Sequence, residues 1–262
     1  MLLIRRLRRF GLLDGGKFVS LVNVLGGIPC VIYLFAMLLY PWVAGEWSWS
    51  YVQSVWDRWQ ALNVGLLAFL SSLIAFNIAR YNANQQRERN FIAARAFLPS
   101  ALSELVPYFK ASAQVFKKSW DTDSHGLGGM ATPELPETYK SVFADCIRYA
   151  SPEIGDHLSR ILVRLQVHDA RLRGLLHPDE EITVRVVDKY SLLTYFYRLG
   201  ELQALVGLLF DFARGESDFK NSELEWEDFK NAYSNLNLWH DEFAIDEDTN
   251  LKTFTARQIS KQ

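Results

Sequence analysis

Two runs decide the fold: residues 18–45, FVSLVNVLGGIPCVIYLFAMLLYPWVAG, and residues 59–79, WQALNVGLLAFLSSLIAFNIA. Neither contains a charged side chain. A bilayer core about 30 Å thick is crossed by roughly 20 helical residues, and both runs reach that length. A water-soluble fold rarely buries two such helices in succession. The pair is therefore expected to form a transmembrane hairpin, closed by a short external loop at 46–58. Val43-Ala44-Gly45 resembles a signal-peptide cleavage site, but the first run is longer than a signal core and a second run follows, so retention is expected.

Orientation follows from the positive charge beside the span ends. Arg5, Arg6, Arg8, Arg9 and Lys17 precede the first run, and Arg80, Arg87, Arg89 and Arg95 follow the second. The loop between them has Arg58 alone, opposed by Glu46 and Asp57. This asymmetry predicts a multi-pass protein of the cell inner membrane with both termini cytoplasmic. Arg5, Arg6, Arg8, Arg9, Arg80, Arg87 and Arg89 are the expected contacts to anionic lipid heads. Trp42, Trp47, Trp49, Tyr51, Trp56 and Trp59 gather at the outer boundary, where amphipathic rings anchor a span.

Within the second run, Ala61, Gly65, Ala68, Ser72, Ala75 and Ala79 recur at spacings of 4 and 3, a seam of small side chains along one helix face. Lipid supplies no hydrophobic drive between helices, so close backbone approach is what favours association. The seam suits packing of the hairpin upon itself or a homo-oligomer interface. Asn23, Asn63, Ser71 and Asn77 can hydrogen-bond between helices. The absence of ionisable groups in either span argues against a transporter or proton relay.

The remainder reads as all-α, a cytosolic helical bundle with no strand-like alternation of useful length. Its expected parts are a juxtamembrane helical extension at 80–118, a Gly- and Pro-rich loop at 119–137, the bundle at 138–245 and a poorly ordered polar tail at 246–262, after the basic N-terminus at 1–17. Pro99 and Pro107 predict a kink or break in the extension. The loop holds Asp121-Thr-Asp-Ser-His-Gly126, like the start of a calcium loop, but Thr132 stands where a bidentate Glu is needed. A mobile polar loop is the better reading.

Ile154, Leu158, Ile161, Leu165, His168, Leu172 and Leu175 form a narrow apolar seam, with His168 read as a core histidine. His157, Arg160, Arg164 and Arg171 flank it as a basic stripe, either a solvated face or a docking surface for an anionic cytosolic protein. The chain's own acidic segment, Glu216 to Asp248, is another candidate occupant. His177-Pro-Asp-Glu-Glu181 is expected to start the next helix, and the apolar run from Tyr190 to Phe212 to be the central buried helix. Arg198 and Glu201 near its middle oppose a third span. Ser222-Glu-Leu-Glu225 matches a capping box for a last long helix with Trp239 and Phe243 on its buried face.

Cys30 and Cys146 lie too far apart in this layout to pair. No HExxH helix, Walker loop, Rossmann glycine set or nucleophile elbow is present, so no cofactor, metal or catalytic residue is assigned. Basic residues are not interleaved with aromatics as nucleic-acid binding wants. Three functions fit: a membrane-anchored protein-interaction module, an oligomerising effector that perturbs the bilayer when triggered, or an integral enzyme with an unrecognised site. In layout, the hairpin Val19–Ala79 followed by a helical cytosolic domain resembles the small two-span membrane effectors of bacterial antiphage defence. That resemblance implies the second function and carries over no functional residue.

Overall fold

The computed structural model describes residues 15–121, 130–176 and 188–261, without the side chains of 15–22 and 25. Arg5, Arg6, Arg8 and Arg9, most of the calcium-like stretch, and His177 to Glu181 lie outside the described residues. The chain forms two compact units, Met1–Gln85 and Gln86–Gln262. Among the described residues every regular element is a helix, apart from one isolated bridge between Ala244 and Asn250.

In the first unit, α1 spans Gly15–Leu38 and is followed at once by the short α2, Tyr40–Ala44. The expected external loop is largely a helix, α3, Trp49–Arg58. Its one buried side chain is Val52, and Val55 and Trp56 are half-buried. The turn before it places Glu46 and Trp47 at φ 50° and 66°, a left-handed conformation uncommon for a bulky residue. The Trp47 N–H donates to the Trp42 carbonyl at 2.9 Å, and the two indoles lie 6.0 Å apart. Gly45 is required there by close approach, because a Cβ would stand 2.5 Å from the Tyr51 ring.

Helix α4, Gln60–Arg95, carries the second apolar run without a break into the basic stretch beyond it. Two helical stretches are thus long and apolar enough to cross a membrane, Gly26–Ala44 and one within Gln60–Asp121. Their surfaces are unlike those of a soluble core: Val31, Ile32, Phe35, Val64, Leu67 and Ile74 are all exposed.

The second unit begins with the last turns of α4, and the chain breaks at Ala96–Phe97 before α5, Leu98–Asp121. Pro99 falls in the new first turn, where its missing N–H costs nothing. Pro107 stays inside α5 without ending it. Then follow α6, Thr138–Tyr149, and α7, Pro152–Leu176. The central helix is α8, Lys189–Gly207, started by the Asp188 carboxylate accepting from the Ser191 N–H at 2.7 Å. It packs against α5, α7, α10 (Trp226–Asn235) and α11 (Leu251–Ile259). The small helix α9, Phe210–Arg214, closes its C-terminal side.

Two expectations about the C-terminal part are corrected. The capping box forms three residues later than the sequence suggested, between Glu225 and Asp228. This register puts Leu224 at N′ and Phe229 at N4, both buried, the two positions of a hydrophobic staple. The helix then stops at Asn235, with Asn237 in the left-handed conformation (φ 55°), so Trp239 is exposed while Phe243 is buried. The polar tail is not loose: Asn250 and Thr253 cap α11 reciprocally at 2.9 and 3.0 Å, and Leu251, Phe254 and Thr255 enter the core.

Candidate functional site

The hairpin face is built from polar pairs. Asn23 and Asn77 exchange two amide hydrogen bonds, at 3.0 and 3.1 Å, and Asn77 also donates to the Leu73 carbonyl. Tyr33 donates its hydroxyl to the Asn63 side chain. Between these pairs Gly26 lets Phe69 approach to 3.5 Å of where its Cβ would be, and Cys30 is buried. Within the second apolar run the half-buried positions of α4 are Asn63, Leu66, Leu70, Leu73 and Asn77, a stripe at helical spacing.

The small-residue seam lies elsewhere. Ala61, Gly65, Ala68, Ser72, Ala75 and Ala79 are all exposed, and among the described residues nothing lies within 4 Å of a Cβ built on Gly65. Each is two residues from a member of the packed stripe, which at 3.6 residues per turn is about 200° around the axis. The seam therefore does not pack the hairpin upon itself. Ser72 turns its hydroxyl back to the Ala68 carbonyl at 2.9 Å, removing its donor from the face it stands on.

Of the expected lipid-head residues, Arg87 is engaged with protein. Its Nε donates to the Tyr149 carbonyl at 3.0 Å and its Nη2 to the Ala150 carbonyl, closing the C-terminus of α6 where a cation is favoured. Arg80 is half-buried and Arg89 exposed. Arg95 stacks its guanidinium over Phe212, 5.4 Å from the ring centre.

The basic stripe of α7 is broken up by the fold. His157 is buried, its Nε2 3.0 Å from the Leu205 carbonyl and its ring edge-on to Phe219. Burial holds its pKa below the usual imidazole range. It belongs to the core, because position 157 adjoins the Ile154–Leu158–Ile161 seam. Arg160 and Arg171 remain exposed. Arg164 pairs with Oε1 of Glu201, whose other oxygen accepts from Arg198 at 2.9 Å. Glu201 is only 1% exposed, so the acid that holds this stripe is on α8 and not in the acidic C-terminal segment. From that segment Glu242 pairs instead with Lys117 of α5 at 3.0 Å.

His168 is likewise a core residue, 4% exposed, met edge-on by Tyr108, Phe109 and Phe116. Desolvation pushes its pKa down to about 4. Sequence reasoning missed Glu201 as the partner of two arginines. Its signal was an acid three residues after Arg198 within an apolar helix, which had been used only to exclude a third span. Cys146 is buried and its thiol is pushed up to about 11 by desolvation, unsuited to nucleophilic work. Among the described residues no group of three or more His, Cys, Asp and Glu could hold a metal ion. Comparison with protein-family models, with curated proteins and with solved structures returns no match.

Proposed function

We propose that the chain is a membrane-anchored interaction module. Its two long helices cross the bilayer as a hairpin with both termini cytoplasmic, and its helical domain docks a cytosolic protein through exposed groups of α7, among them Arg160 and Arg171. The outward apolar surface of α1 and α4 carries this reading, since patches of such extent are costly in water. The asymmetry of arginines beside the spans supports the orientation. The test is alkaline carbonate extraction together with a reporter fused after Gln262. The anchor reading expects retention in the pellet and a cytoplasmic reporter; release into the wash overturns it.

A second reading is favoured by the exposed seam on α4. A row of small residues opposite the face that closes the hairpin suits a second copy of the chain, and with it the bilayer-perturbing effector of antiphage type. Native mass measurement of the detergent complex tests this directly. The effector reading expects an oligomer that Gly65→Leu dissolves and depolarisation of overexpressing cells; a monomer, or unchanged potential, rejects it.

A further inference from the structure

The second unit contains a concave site that packing alone does not explain. It opens between α5, α7 and α8, with a volume of about 180 Å³. Arg164, Arg171 and Arg198 stand around it. Glu201 neutralises one positive charge while contacting Arg164 and Arg198, so two guanidiniums share one carboxylate and Arg171 adds a third positive charge. Among the described residues Arg171 has no acidic partner; it lies instead over the Tyr195 ring, 5.9 Å from the centroid. The cavity wall thus combines a surplus of positive charge with a flat aromatic face.

Two further features point to a ligand. Val163 and Val167 line the same site and are 61% and 45% exposed, whereas Ile154, Leu158, Ile161, Leu165 and Leu172 of the same helix are buried. Phe116 and His168, edge-on to each other with ring centres 5.7 Å apart, line the same site beside Tyr195, so an aromatic wall stands next to the arginines.

We propose that this cavity binds a small soluble organic oxyanion, a phosphate ester or a carboxylate, with a planar apolar portion. Arg171 and Arg198 take the oxyanion in the forked geometry that guanidinium offers to both groups. Tyr195, Val163 and Val167 cover the apolar portion. The site lies wholly within the second unit, so it stands or falls independently of the membrane reading.

The experiment is calorimetric titration of the full chain in a neutral detergent with inorganic phosphate, phenyl phosphate and benzoate. Saturable binding of phenyl phosphate or benzoate, tighter than that of inorganic phosphate, is expected, and the tighter of the two identifies the anion class. Arg171→Gln removes an exposed charge-assisted donor and should weaken binding by about tenfold or more. Tyr195→Leu should weaken phenyl phosphate and leave inorganic phosphate unchanged. Val167→Glu, at the exposed rim, places a competing carboxylate beside the arginines and should abolish binding while the melting midpoint holds. Absence of saturable heat with all three probes overturns the proposal, as does undiminished binding in both Arg171→Gln and Val167→Glu.

Discussion

Trp56 donates its indole N–H to the backbone carbonyl of Met37 at 2.9 Å. The reason is four residues further along α2: Pro41 has no N–H to return to that carbonyl. A ring placed by α3 thus repairs the gap that a proline opens at the end of the first apolar helix. Trp56→Phe keeps the ring but leaves the carbonyl unpaired, at about 1–2 kcal/mol. Pro41→Ala restores a backbone donor, so the cost of Trp56→Phe should largely vanish in the double variant. Reversible unfolding in mixed micelles measures both; equal costs with and without Pro41 would refute the repair.

The Asn23–Asn77 pair fixes the pairing of α1 and α4 in the same way that single polar groups fix register elsewhere. Each amide both donates to and accepts from the other. Asn23→Ala and Asn77→Ala should therefore couple, with an interaction energy of about 0.5–2 kcal/mol in a double-mutant cycle. Additive single costs would show that the amides act separately.

At Gly200, α8 passes directly beside Tyr233 of α10. A Cβ there would sit 2.4 Å from Cε1 of Tyr233. That ring cannot swing away, being 1% exposed and hydrogen-bonded through its hydroxyl to Thr255 at 2.7 Å. Gly200→Ala, usually helpful inside a helix, should instead destabilise by about 1–3 kcal/mol. Thermal unfolding of the full chain should show a lowered midpoint, partly recovered by Tyr233→Leu. A raised midpoint in the single variant would contradict the contact.

Long period was what made parts of this fold readable. The α7 seam from Ile154 to Leu172 repeats over about five turns, and every member from Ile154 to Leu172 is buried as its position implies. The Tyr190–Phe212 run likewise shows through sheer apolar content, and α8 within it is the central helix. Short elements gave too little signal. In α11 only Leu251 and Phe254 mark the buried face, and the Asn250-x-x-Thr253 cap is made of residues equally common in loops. At α10 two cap-to-acid spacings of three competed, Ser222 to Glu225 and Glu225 to Asp228, and the staple between positions 224 and 229 decided between them. The seam on α4 was legible as a seam, but which way it faced depended on the partner helix, which period alone does not specify. The arginine cavity escaped because its members come from α7 and α8, and Glu201 is bound from both.

Glu201 should be the most sensitive polar position in the second unit. Glu201→Ala strands Arg164, whose side chain is 30% exposed, beside Arg198 at 46%. Removing one partner of a buried pair commonly costs about 3–5 kcal/mol, and the part-exposed guanidiniums can turn to water, which favours the lower end. Arg164→Met should cost more than Arg198→Met, because Arg198 gives up a more hydrated contact. Equal midpoints for wild type and Glu201→Ala would show that the pair contributes nothing.

Acid should weaken the second unit through His168. Its folded pKa is about 4 against about 6.5 for an unfolded imidazole. Between these values the unfolded chain binds a proton that the folded chain excludes, so stability is full above about pH 6.5 and declines as the pH falls toward 4. The groups around the ring act as this requires: Asp169 pulls the pKa up, Arg171 pushes it down, and desolvation among Tyr108, Phe109 and Phe116 outweighs both. A difference of that size corresponds to at most about 3 kcal/mol. His157, held low by burial, contributes in the same direction. Carboxylates also titrate at the lower end, so the informative quantity is the difference between wild type and His168→Leu. Unfolding midpoints at about pH 7.5 and about pH 5 should converge in His168→Leu relative to wild type. An identical pH slope in the two proteins would mean that His168 gains its proton as easily in the folded core as in the open chain.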